Sequence, residues 1–203
     1  MNTLLPNPLY AAALGLVLTG CTAPADDTGA GSDTAEAAPT GPTFVPDATD
    51  GLSVEAVEAE RYLGTWYEIA STPSANQSEC TGTTAEYSLR DDGDVRVVNR
   101  CYLGSLDGTL NQIEGKASFA DDSGARLLVD FGFGFAAPYN IVELDGAAGD
   151  TPYGFAVVSS PGFALWVLSR TPQMDPELYG LLLQRGTDRG LPTDRLVETL
   201  QPE

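Results

Sequence analysis

The stretch RYLGTWYEIAS, residues 61–71, decides how the rest of this chain is read. Tyr62, Leu63, Trp66, Tyr67 and Ile69 arrive within eight positions. The preceding segment, residues 22–60, carries nine acids and few large apolar side chains. Aromatic and β-branched residues in a short run mark a strand. Gly64 stands two residues before the Trp, so the backbone turns tightly just where a large ring must be buried. The question is what packs on that indole.

Working outward, short strand-like runs follow one another with turn signals between them. TTAEYSLRDDGDVRVVNRCYL reads as a hairpin turning at residues 91–93. NQIEGKASFA, ARLLVDFGF and YNIVELD are further strands, and YGFAVVSS with FALWVLSR forms a hairpin about Pro161 and Gly162. That makes eight strands in sequence order, the pattern of a β-sandwich or barrel. One helix follows, in MDPELYGLLLQRG. Asp175 is its expected N-cap, Pro176 its first residue and Gly186 its stop, with Leu178, Leu181, Leu182 and Arg185 along one face. RLVETLQ is expected to add a last short strand.

Composition removes several function classes. The 203 residues hold 29 acids and 10 bases, for a net charge of −19. Such a surface repels DNA and RNA. The acidity is also what a salt-adapted organism would select. There is no His, hence no usual metal ligand, general base or haem ligand. No Ser or Lys stands in a recognisable nucleophile motif. The reading is therefore not an enzyme, with no metal and no cofactor.

The N-terminus sets the compartment. Residues 11–18 are an apolar run too short to span a bilayer but right for a signal-peptide core. LTGC, residues 18–21, resembles a bacterial lipobox, which implies cleavage before Cys21 and a diacylglycerol on its thiol. An ordinary signal peptide with a chance Cys is the alternative. The segment before the apolar run has no Lys or Arg, so the signal is weak or the true start lies elsewhere. Thr22 after the Cys is similar to the outer-membrane sorting pattern of such lipoproteins. Residues 1–20 are thus read as signal peptide. Residues 21–52, rich in Ala, Thr, Gly, Pro and Asp, are read as an acidic, disordered tether. Thirty such residues reach about 30 Å from a membrane. Cys80 and Cys101 are then an even pair in an oxidising compartment, where a disulfide is expected and two free buried thiols are the alternative.

Eight ordered strands, a late helix and G-x-W on the first strand resemble the lipocalin family over about residues 55–202. RYLGTWYEIA looks like the family's first signature, and LWVLSRTP, residues 165–172, like its last. EYSLRDDGDVRVVNR and NQIEGKASF are similar to the bacterial outer-membrane, apolipoprotein-D-like branch. The middle signature is degraded to SSPGF. The resemblance implies an all-β fold for residues 53–203: an eight-stranded antiparallel up-and-down barrel with one C-terminal helix packed outside. It implies that Trp66 plugs the closed end and that Arg170 stacks on its ring, with Gly64 letting the chain enter tightly. It carries no likeness to the enzymatic members, whose cavity thiol a Cys80–Cys101 disulfide would remove.

An eight-stranded barrel is just wide enough for one small ligand, and period-two alternation selects the side chains that meet it. A three-residue turn at 91–93 sets Tyr87 opposite Val97, Ala85 opposite Asn99 and Thr83 opposite Cys101. Glu86, Ser88, Arg96 and Arg100 share the other face, so Ala85, Tyr87, Val97 and Asn99 point inward. On the last large strand Trp166, Leu168 and Arg170 share a face; with Arg170 at the floor, Trp166 lines the wall. Phe131 and Phe133 are weaker candidates. An inward Asn99 needs a partner: a ligand head group, a water or Tyr87. Cys80 lies beyond the reach of Cys101 in this register unless a bulge at Gly82 brings it back. The expected function is to hold fatty acids, lysophospholipids or similar amphiphiles at a membrane. A filled barrel with a structural role is the alternative.

Overall fold

The computed structural model describes residues 41–48, 51–162 and 164–203. Cys21, the signal segment and most of the tether lie outside the described residues. A short helix α1 (Ala59–Tyr62) precedes eight strands: β1 (Gly64–Ser71), β2 (Cys80–Leu89), β3 (Val95–Leu103), β4 (Thr109–Phe119), β5 (Arg126–Asp130), β6 (Ala136–Leu144), β7 (Phe155–Ser160) and β8 (Ala164–Ser169). Helix α2 (Pro176–Asp188) and a two-residue strand β9 (Val197–Glu198) follow. From β1 to β8 each strand pairs antiparallel with the next, and β1 also pairs with β8, so the sheet closes into a barrel. Closure leaves no long edge for another chain to extend.

The β2–β3 register places Tyr87 opposite Val97 and Ala85 opposite Asn99. The expected Thr83–Cys101 pair does not form. The ladder passes from Thr84 opposite Arg100 to Thr81 opposite Tyr102, leaving Gly82 and Thr83 against Cys101 alone. Gly82 carries the bulge at φ +58°, a conformation other residues adopt only at a cost. The bulge draws Cys80 back, and the structure joins it to Cys101 with Cα atoms 5.3 Å apart. Closing a loop of this length is worth about 3 kcal/mol.

Apolar residues form two layers. One fills the barrel around Trp66, Tyr87, Val97, Val129 and Leu168. The other lies outside it, where Val142, Phe155, Val157, Leu165 and Val167 meet Leu182 of α2. This explains why β7 is buried at every position rather than alternating. Full burial of Leu182 contributes about 1.5–3 kcal/mol. Asp175 caps α2 by accepting from the amides of Glu177 and Leu178, both at 3.0 Å.

Four expectations need correction. The helix runs through Gly186 to Asp188, because Gly186 is a contact point rather than a stop: a Cβ there would lie 2.7 Å from the Thr193 side chain. Leu181 is 39% exposed; the seam runs instead through Leu178, Leu182 and Gly186, four residues apart. The strand expected through Phe133 ends at Asp130, and Phe133 and Phe135 project from the β5–β6 loop, 66% and 53% exposed. The domain also starts before residue 53. The amide of Val45 donates to Leu144 O, and Phe44 packs edge-on against Phe155 with ring centroids 5.4 Å apart.

Candidate ligand cavity

The floor is built from the opening stretch. Gly64 has φ +94°, a backbone conformation that other residues adopt only at a cost, and a Cβ there would just touch the Arg170 guanidinium at 3.4 Å. Trp66 follows, fully buried, its Nε1 donating to Tyr62 O at 2.8 Å. The Arg170 guanidinium lies 3.9 Å over the indole. It also donates to the carbonyls of Thr65, Arg61, Tyr62, Leu63 and Tyr153 at 2.8–3.1 Å. One cation thus covers the ring and pins the chain entering β1 to the loop before β7.

Above the floor a cavity of about 110 Å³ occupies the barrel. Ala85, Tyr87, Val97, Asn99 and Trp166 all line it. So do residues that the sequence reading did not select: Glu68, Thr83, Phe131, Tyr139, Ser160 and Leu168 among them. Phe131 turns in, whereas Phe133 does not. Glu68 was legible in principle, since it lies two residues beyond Trp66 and shares its face. A smaller space of about 30 Å³ lies toward the floor among Tyr62, Val95, Leu127 and Ile141. Tyr87, Val129 and Tyr139 border both.

Three hydroxyls cross the interior between these spaces. Tyr139 shares hydrogen bonds with Tyr62 at 2.8 Å and Tyr87 at 2.9 Å. Burial pushes Tyr87 up to about 12 and raises Tyr62 and Tyr139 as well, so the triad stays neutral near pH 7. Tyr87 therefore serves Tyr139 and not Asn99. Asn99 Oδ1, Thr83 Oγ and Ser160 Oγ are buried without a hydrogen-bond partner among the described residues.

Among the described residues, Glu68 is the one carboxylate in the wall. Its Oε1 accepts from Thr199 at 2.6 Å and Ser71 at 3.0 Å. Burial holds its pKa above the usual carboxylate range, and the two hydroxyls pull it part of the way back. Here β2 parts from β1, and the C-terminal segment closes the seam: β9 pairs with Ala70 and Ser71. Gln201 Nε2 donates to Glu68 O and Thr83 O at 2.8 and 2.9 Å.

A closed antiparallel barrel, floored by a Trp–Arg stack and holding a lined cavity, defines a lipocalin. Residues 57–201 match the model of the lipocalin-like domain, and the chain belongs to that family. It is 38% identical to the outer membrane lipoprotein Blc of Escherichia coli K12 over 151 residues, 73% of this chain and 82% of that one. It is 32% identical to bovine apolipoprotein D over 159 residues, 72% and 78% of the two chains. Among solved structures, insecticyanin from the tobacco hornworm Manduca sexta superposes with a TM-score of 0.58 at 20% identity, covering 80% of this chain and 91% of its own.

Proposed function

We propose that this protein is a membrane-anchored lipid carrier of the cell envelope. Its barrel holds one fatty acid, lysophospholipid or similar single-chain amphiphile, and Cys21 carries the lipid anchor on the periplasmic side of the outer membrane. The observation that carries the reading is the wall of the cavity. It is largely apolar, yet three of its buried polar atoms lack partners. A barrel built only to be filled would satisfy them, because an orphan buried polar group costs about 1–3 kcal/mol. An occupant that reaches them removes that cost. The relatives named outer membrane lipoproteins support the envelope location, and the family's general role in binding and transport supports a carrier rather than an enzyme.

The filled-barrel alternative has one observation in its favour. About 110 Å³ is below the range of about 300–1,000 Å³ usual for ligand pockets. Fluorescence separates the two. Trp166 lines the cavity, while Trp66 is sealed below it, and these are the two Trp of the chain. Titration with oleate or a lysophospholipid should change the emission of Trp166. The Trp66→Phe protein, if folded, should keep the response, and Trp166→Phe should lose most of it. Absence of a saturable change with either lipid would favour the filled barrel.

The anchor has its own test. Cys21→Ser should leave an unacylated precursor that no longer partitions with membranes. Unchanged signal processing and membrane fractionation of this variant would refute the lipoprotein assignment.

A further inference from the structure

Three polar residues of the cavity wall lie on adjacent strands. Glu68 and Thr83 face each other across the β1–β2 seam, tied by the two hydrogen bonds from Gln201. Asn99 stands on the neighbouring strand β3, whereas Ser160 lies on β7 opposite Ala164, four residues along β8 from Leu168, the partner of Glu68. Thr83 is 6% exposed, and its hydroxyl oxygen is without a partner among the described residues. Both hydrogen bonds to Glu68 fall on Oε1, so Oε2 accepts none from the described residues. Among the described residues, no Arg or Lys lines the cavity. A carboxylate head group would therefore meet Glu68 with no counter-ion, in a site where desolvation strengthens repulsion.

We infer that Glu68, Thr83 and Asn99 form a head-group subsite that selects amphiphiles ending in a neutral or cationic hydrogen-bond donor, such as an alcohol or an amine, over those ending in a carboxylate. The donor hydrogen goes to Glu68 Oε2 or Asn99 Oδ1, and the Thr83 hydroxyl turns to complete the set. Part of the binding energy comes from satisfying groups that the empty wall leaves unpaired. The inference rests on the carrier reading and narrows it, since it ranks fatty acids below hydroxylated or amino amphiphiles of equal chain length.

Three probes with the same twelve-carbon chain test it: dodecanol, dodecylamine and dodecanoate, each titrated at pH 7 against Trp166 emission. Salt at about 0.5 M shortens the screening length to a few ångströms and suppresses the effect of the acidic outer surface. Dodecanol and dodecylamine should bind at least about tenfold more tightly than dodecanoate, the worth of one charge-assisted hydrogen bond. Glu68→Gln keeps an oxygen for Ser71 and Thr199 to donate to, so the seam should hold. This variant should bind dodecylamine about tenfold more weakly and dodecanoate more tightly, closing the gap. Thr83→Val should weaken dodecanol without changing the dodecanoate value. Equal affinities for the three probes, or a ratio unmoved by Glu68→Gln, would overturn the subsite while leaving the carrier intact. Failure of all three probes to bind would overturn the carrier reading, and the subsite with it.

Discussion

Trp66→Ala should cost about 3–5 kcal/mol, the range for a large aromatic removed from a packed core. Domains of this size are stable by about 5–15 kcal/mol, so the variant sits near the folding threshold. The loss has three parts. The indole is fully buried, and its absence leaves a cavity bounded by Tyr62, whose ring centroid lies 4.9 Å away. The Tyr62 carbonyl loses the Nε1 donor. The Arg170 guanidinium loses the ring beneath it. Arg170→Ala acts on the same unit from above, removing the donors of five carbonyls on two chain segments. Arg170→Lys should not restore it, because an ammonium cannot reproduce the planar fork. Residues in contact are expected to couple by about 0.5–3 kcal/mol in a double-mutant cycle. Urea midpoints of the wild type, both single variants and the double variant, taken at constant m, measure that coupling. A value near zero would mean that the stack contributes nothing beyond its separate parts.

The floor was legible because two short motifs fix its members, and each residue there has one geometric task. The wall was legible for a different reason. Between Ala85 and Asn99 a tight turn sets the register, and one face carries charges that the other does not. Arg100 and Glu86 show the outward face at work: they pair at 2.6 Å on the barrel exterior. Glu68 was missed because it breaks the rule that made its neighbours readable. A charge on the inward face looks like a register error until the Thr199 and Ser71 hydroxyls are seen, and Thr199 is 131 positions away. The Tyr62–Tyr139–Tyr87 chain was hidden likewise, since a phenol reads as a core ring and its hydroxyl partner is a tertiary fact. Phe44 escaped notice because it lies in a segment without periodicity, and a lone aromatic there gives no sign of the surface that receives it. Gly186 was misread because glycine ends helices and also lets elements approach closely. Only the position of Thr193 separates the two.

The second large effect lies on the outer side of the barrel, where sequence gave no warning of a buried charge. Glu143 sits in β6 with no solvent exposure. Arg185 of helix α2 and Arg189, the residue that caps its C-terminus, reach it at 3.0 Å each, so the end of the helix is bolted to the barrel by ions as well as by Leu182. Arg185 also stacks at 4.2 Å on Phe44, and Arg189 donates to Val142 O and Gly51 O. The value of such a cluster is asymmetric. Assembled, it roughly breaks even against an apolar equivalent; stripped of one side, it strands a charge in low dielectric and costs about 3–5 kcal/mol. Replacing both Arg185 and Arg189 by Gln should therefore destabilise the domain by that amount near pH 7. Adding Glu143→Gln to the double variant should recover most of the loss by the same logic, with three amides in place of three ions. Denaturant unfolding of the double and triple variants decides the point. If the triple variant is no more stable than the double, the loss comes from the Arg185 stack on Phe44 and from the contacts of Arg189 with Val142 O, Gly51 O and Asp47, and the stranded charge is not its cause.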